Sequence, residues 1–324
     1  MTEQPDTPVI ASLHNVVKRY AGLPAVDALN IEIRAGEILG LLGPSASGKT
    51  TAIALLAGLV PPDRGRITLF GTDVSALAPK SRSVGSLLHR IGVVPQEPAL
   101  FDDLTVGEHL RFFGELFGLR NPVLEQLCGS VLELMHLTER RDTRAGRLNS
   151  GMRRRLNMAC ALVHRPQILI LDEPTVGIDP GSRRQILDSV RTLNARGTTV
   201  LYASHHMSEV EAICTRIAIM DHGRILVSGT VPELIERLGA DDRIRVRIDR
   251  TVPDLRARLS ELAGVHHCSE EPDSLVIIAE HGQVRLARVV EVVARCGAEV
   301  IQADLVRPTL DDLFLSLTGR TLRG

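Results

Sequence analysis

The 324-residue chain balances 38 lysines and arginines against 39 aspartates and glutamates, which gives no support for a general nucleic-acid-binding surface. Its 44% hydrophobic and 24% charged content describes a soluble globular protein of about two domains, and its longest apolar runs, such as residues 52–60, are about half of what a bilayer crossing needs. The acid- and proline-bearing start lacks a secretory signal, and five cysteines without a C-x-x-C pair read as reduced thiols of a cytosolic protein, so a membrane role comes through a partner.

Residues 1–8 read as a disordered tail. Residues 9–42 read as strands, with Val26, Leu29, Ile31 and Ile33 in alternation. The run Glu37 to Leu42 reads as a buried strand. It leads into Gly43-Pro44-Ser45-Ala46-Ser47-Gly48-Lys49-Thr50, followed by a helix-like Thr51 to Leu59. This is the G-x-x-x-x-G-K-[ST] phosphate-binding loop in its strand–loop–helix context. Residues 43–51 then wrap a triphosphate with backbone amides and the positive end of a helix. Lys49 reaches the β- and γ-phosphates, and the Thr50 hydroxyl is suited to Mg²⁺. An ordinary Gly-rich turn is the plainer alternative. Against it, one of only three lysines (Lys18, Lys49, Lys80) stands at the required slot. The loop alone leaves GTPases, kinases and helicases open.

Strand signals recur at 66–70 and 91–94, the second followed by Gln96. Residues 100–164 are helix-rich, opening on a capping box at Thr105–Glu108. Next comes Leu148-Asn149-Ser150-Gly151-Met152-Arg153-Arg154-Arg155-Leu156, whose basic run reads as a solvated helix face. The stretch Ile168-Leu169-Ile170-Leu171 reads as a buried parallel strand ending in Asp172 and Glu173. Asp172 is suited to hold Mg²⁺, and Glu173 to orient or deprotonate an attacking water. A strand at 199–203 leads to His205-His206, around which no further ligand sits at a metal-binding spacing. Asp221-His222-Gly223 reads as a hairpin turn.

Over roughly residues 9–230 this order of motifs resembles the ABC-transporter ATPases. The resemblance implies an α/β P-loop NTPase with a mixed sheet core, a nucleotide-binding domain over 9–238, and a helical subdomain at about 98–165 that meets a membrane partner. It implies that Asn149, Ser150, Gly151 and Met152 form the signature that faces the γ-phosphate held by a second protomer. The family pattern there is Leu-Ser-Gly-Gly, so Asn149 and Ser150 depart from it, as does Ala46, where the loop usually has glycine. By the same resemblance Gln96 contacts Mg²⁺ or the attacking water. Asp179 belongs to a loop crossing the dimer interface, His205 senses the γ-phosphate, and Tyr20 stacks on adenine. With one set of motifs per chain, two copies complete two ATP sites as an ATP-dependent homodimer.

Residues 243–324 read as a second domain after a linker at 239–242. Strands at 243–248, 265–269, 275–279 and 300–305 and helices at 253–262 and 284–296 give a β-α-β-β-α-β order, which suggests a small ferredoxin-like unit. The ending Leu310-Asp311-Asp312-Leu313-Phe314-Leu315-Ser316-Leu317-Thr318-Gly319 resembles that of ATPase subunits of drug- and antibiotic-resistance exporters of the daunorubicin-resistance type. This implies a separate ABC-2-type permease as partner and a peripheral place on the inner face of the cell membrane. Two alternatives stay open. One is an ABC ATPase acting on DNA or ribosomes, without tandem domains or basic inserts to support it. The other is a regulator that binds ATP but hydrolyses it poorly, resting on Ala46, Asn149 and Ser150.

Overall fold

The computed structural model describes residues 7–75, 82–238, 242–250, 252, 254–271, 274–279, 282–306 and 309–318. Of the expected tail at 1–8 and linker at 239–242, residues 1–6 and 239–241 lie outside the described residues, as does the terminal Gly319, while Asp242 already belongs to a strand. The chain divides into two compact units at Val231/Pro232.

In the first unit β1 (Val9–Tyr20) and β2 (Leu23–Arg34) form a long hairpin. Next, β3 (Ile38–Leu42) passes through the phosphate loop into α1 (Lys49–Leu56). There follow β4 (Arg64–Leu69), β5 (Thr72–Asp73), α2 (Arg82–Leu88) and β6 (Ile91–Val94). The helical segment comprises α3 (Val106–Leu116), α4 (Val123–Leu134) and α5 (Ser150–Leu162). The chain then alternates through β7 (Ile168–Asp172), α6 (Pro180–Ala195), β8 (Thr199–Ser204), α7 (Met207–Ile213), β9 (Arg216–Asp221) and β10 (Arg224–Gly229). The central sheet runs β10-β9-β3-β8-β7-β6, parallel except for the β9–β10 hairpin. All five residues of β3 and of β7 are buried, as expected for strands covered on both faces. A separate antiparallel sheet, β2-β1-β4-β5, sends Leu13, Ile31, Ile33 and Ile67 into a core shared with α1 and with Leu39, Ile170 and Leu201 of the central sheet. Alternation in β2 is what gives that sheet one apolar face.

In the helical segment the capping box at the start of α3 is present: Thr105 Oγ1 accepts from the Glu108 amide at 3.2 Å, and Glu108 Oε2 accepts from the Thr105 amide at 2.7 Å. The basic run on α5 requires a correction, because Arg154 and Arg155 are each only 5% exposed. Arg154 donates to the backbone oxygens of Pro95 and Gln96 at 2.8 and 2.5 Å. Arg155 donates to those of Met135 and His136 at 2.8 and 3.1 Å. Both guanidiniums cross to carbonyls that the ends of β6 and α4 leave without helix or strand partners. Arg154→Met, which keeps the volume but not the donors, is expected to cost roughly 2–3 kcal/mol, the worth of hydrogen bonds to a charged group. A denaturant midpoint measures it.

The second unit begins with α8 (Val231–Leu238), followed by β11 (Asp242–Ile248), α9 (Leu255–Ser260), β12 (Val265–Glu271), β13 (Ser274–Ala279), α10 (Gly282–Arg295), β14 (Val300–Val306) and α11 (Leu310–Thr318). The four strands are all antiparallel in the order β12-β13-β11-β14. Together with the β-α-β-β-α-β sequence this is the ferredoxin-like topology. Ile244, Val246, Ile277, Val289 and Val293 form its core, and Phe314 anchors α11 fully buried. No helix among the described residues is long and apolar enough to cross a membrane.

Candidate functional site

The phosphate loop lies at the carboxyl end of β3, where parallel sheets place their ligand chemistry. Gly48, at φ 105°, is the N-cap of α1, so the helix starts two residues earlier than the sequence suggests. The first bond into the helix runs from the Ala52 amide to the Gly48 carbonyl at 2.9 Å. The amides of Lys49, Thr50 and Thr51 precede it and remain available at a helix start. A Cβ on Gly48 would meet the Ala25 carbonyl oxygen at 2.5 Å, so the β1–β2 hairpin presses directly on the loop. Tyr20, at the turn of that hairpin, is 48% exposed and is therefore not a core residue. Ala46 has φ 62°, a left-handed conformation that glycine adopts freely and alanine with some strain.

Lys49 is buried, and its ammonium donates to the Gly43 and Pro44 carbonyls at 2.8 and 2.9 Å. It also pairs with Glu173 Oε1 at 3.3 Å. The other carboxylate oxygen of Glu173 lies 3.2 Å from His205 Nδ1. Glu173 itself has φ 47°, which turns its side chain back toward the loop as β7 ends. Three residues distant in sequence thus converge on one point.

Asp172, one position earlier, is buried, and its Oδ1 has no hydrogen-bond partner. Burial pushes its carboxyl above the usual range, opposed by the Thr50 hydroxyl and reinforced by Glu173. An orphaned buried carboxylate beside a threonine hydroxyl suits a hard cation with oxygen ligands. Thr50 and Asp172 therefore offer oxygen donors that fit Mg²⁺. Asp172→Asn removes the cost of burying a charge. It is expected to raise the thermal midpoint of the metal-free protein while abolishing the Mg²⁺-dependent rise, both read in one melting series.

Asn149 is the N-cap of α5, its side-chain oxygen accepting from the Met152 amide at 2.8 Å. Asn is among the strongest N-capping residues, so it performs the local task of the serine it replaces. Asn149→Ser is expected to change stability little, and Asn149→Ala to cost about 1 kcal/mol, read as a shift in thermal midpoint. A Cβ on Gly151 would collide with the Ser182 side chain, so α5 starts hard against the start of α6. There Asp179 is the N-cap, accepting from the Ser182 amide at 2.9 Å. Residues 149–152 and the Asp179 loop therefore adjoin each other. Among the described residues no hydrogen bond or ion pair joins 149–152 to 43–51. Gln96 is exposed, beside a cleft of about 290 Å³ lined by Pro95, Phe113, Phe117, Asn157 and His164.

Comparison with known proteins agrees with this geometry. The ABC transporter family description matches residues 26–176. The linearmycin resistance ATP-binding protein LnrL of Bacillus subtilis is 39% identical over 95% of this chain and 98% of that protein. The chain belongs to the ABC transporter ATP-binding proteins. The Nod factor export ATP-binding protein I of Sinorhizobium fredii is 38% identical over 97% of the chain and 88% of its own length. Among solved structures, cbiO1 from Clostridium perfringens, part of an ABC transporter complex, covers 71% of this chain and 94% of its own at TM-score 0.64 and 25% identity. A dimeric ATP-binding cassette in a post-hydrolysis state with ADP and Pi matches in fold, at TM-score 0.62 and 23% identity over 68% of this chain and 98% of its own. Like others of its family this chain is an ATPase, and such subunits act as dimers with membrane permeases.

Proposed function

We propose that this chain is the ATP-hydrolysing subunit of an exporter, driving a separate ABC-2-type permease by closing and opening a homodimer. The observation that supports it most is the convergence of Lys49, Glu173 and His205 at the mouth of the phosphate loop. Relatives that span nearly the whole chain are named for linearmycin resistance and for Nod factor export, so neither a DNA- or ribosome-directed role nor a non-hydrolysing one is favoured.

The residues give the steps. Before nucleotide arrives, Glu173 is held between Lys49 and His205. The γ-phosphate competes for Lys49 and leaves the Glu173 carboxylate free to orient and deprotonate water. His205 then faces the phosphate as a donor. Thr50, Asp172 and Gln96 would hold Mg²⁺, which when bound would supply charge neutralisation for the phosphates. Tyr20 offers adenine an exposed ring. Asn149, Ser150 and Gly151 of a second copy present the start of α5 to the γ-phosphate, with the adjoining Asp179 loop at the same interface.

Movement passes to the permease through Gln96, whose backbone Arg154 ties to α5, and the apolar cleft beside it receives a permease segment. The second unit is an accessory domain, and the protein sits on the inner membrane face through its partner. Light scattering of Glu173→Gln tests the dimer: Mg-ATP is expected to convert monomer to dimer. A dimer that forms equally without nucleotide would overturn the reading.

A further inference from the structure

Four residues beyond His205, on α7, Glu209 is 2% exposed. Its Oε2 accepts from the Thr175 hydroxyl at 2.7 Å, the Tyr202 hydroxyl at 2.8 Å and the Ser204 hydroxyl at 3.4 Å. Its Oε1 faces Arg183 Nε of α6 at 3.3 Å, an ion pair without hydrogen-bond alignment. Each contact leads to a different part of the ATP site. Thr175 belongs to the turn that leaves Glu173, closed by the Val176 amide on the Glu173 carbonyl at 3.3 Å. The Ser204 hydroxyl in turn accepts from the His206 amide at 2.9 Å, which fixes the turn that presents His205. Arg183 lies one turn into the helix capped by Asp179, its amide bonded to the Asp179 carbonyl at 3.0 Å.

We propose that Glu209 is a positioning residue that couples Glu173 and His205 to the Asp179 loop, so that the hydrolytic arrangement is complete only when that loop is seated against a second copy. The inference rests on the reading of this site as a dimeric ATPase. Its physical basis is the imbalance of the two oxygens. Oε2 is saturated by three hydroxyls that hold α7 to β7 and β8, whereas Oε1 has one partially exposed cation whose alignment is incomplete. Buried charges need full pairing, so a shift of α6 that aligns Arg183 lowers the energy of Glu209 and of every turn hung on it. A partly exposed arginine facing a buried carboxylate is the adjustable contact of the network.

Glu209→Gln separates the two sides, because an amide oxygen still accepts from Thr175 and Tyr202 while the ion pair with Arg183 is lost. Measured with a fluorescent ATP analogue and by steady-state hydrolysis, Glu209→Gln is expected to keep ATP affinity within about twofold and lower kcat at least tenfold. Arg183→Gln should match it, and the double variant should be no worse than either, since the two residues act through one contact. An unchanged kcat in Glu209→Gln would overturn the proposal. So would parallel losses of kcat, affinity and thermal midpoint, or additive effects in the double variant. Glu173→Gln is the control for the underlying reading. If the wild type proves no more active than that control, the same substitutions are compared for ATP-induced dimerisation in the Glu173→Gln background. There, weaker dimerisation supports the coupling and unchanged dimerisation overturns it.

Discussion

Glu173→Gln is expected to retain ATP binding and lose hydrolysis by a factor of about 10² to 10⁴, the usual contribution of a general base. The amide keeps the shape of the side chain and its place beside His205. It cannot take a proton from water. Removing the carboxylate also ends the ion pair at 3.3 Å with Lys49, so Lys49 no longer has a protein carboxylate competing with phosphate for it. ATP affinity should therefore hold or rise, and the nucleotide-bound dimer should accumulate. Single-turnover hydrolysis beside equilibrium nucleotide binding distinguishes this outcome from simple misfolding, in which both would fall.

Lys49→Met is expected to have the opposite signature, losing binding itself. Among the described residues Lys49 is the only lysine placed at the loop, and its ammonium is already organised by the Gly43 and Pro44 carbonyls. Charge-assisted contacts to phosphate oxygens are worth about 1.5–3 kcal/mol each, so losing two of them weakens ATP by about a hundredfold or more. Stability should fall as well, because Glu173 is left buried without its cation, a change that costs roughly 3 kcal/mol at a buried pair. Adding Glu173→Gln to Lys49→Met should restore much of that stability without restoring binding. Calorimetric titration and a denaturation curve on the same three variants check both halves.

Much of this architecture is legible in the sequence because its strands obey simple patterns. The short apolar runs of β3 and β7 read as buried strands, and their ends carry the phosphate loop and the acidic pair. The Thr105–Glu108 capping box marks the start of α3 within one residue. In the second unit, alternation in β11 and the helical period of α10 suffice for the strand and helix order.

What escapes the sequence is tertiary. Arg153 to Arg155 look alike in the chain, yet only the neighbouring carbonyls at 95, 96, 135 and 136 decide that two of them are buried. Glu209 looks no different from Glu211 on the same short helix. A signal did exist for it: Tyr202 interrupts the aliphatic strand β8, and a buried tyrosine hydroxyl needs a partner. Burial and the nearby Glu209 carboxylate hold that phenol well above its ordinary range, so it remains a donor. Asn149 illustrates a departure from a motif that preserves its physics, since the cap it makes is the one serine would make.

The central claim, that two copies complete each ATP site, is tested most directly by Mg-ATP hydrolysis of the purified protein as a function of its own concentration. Specific activity that rises with protein concentration, and is absent in Glu173→Gln, is the predicted result. Specific activity constant over the whole range in a protein that stays monomeric with ATP would contradict it.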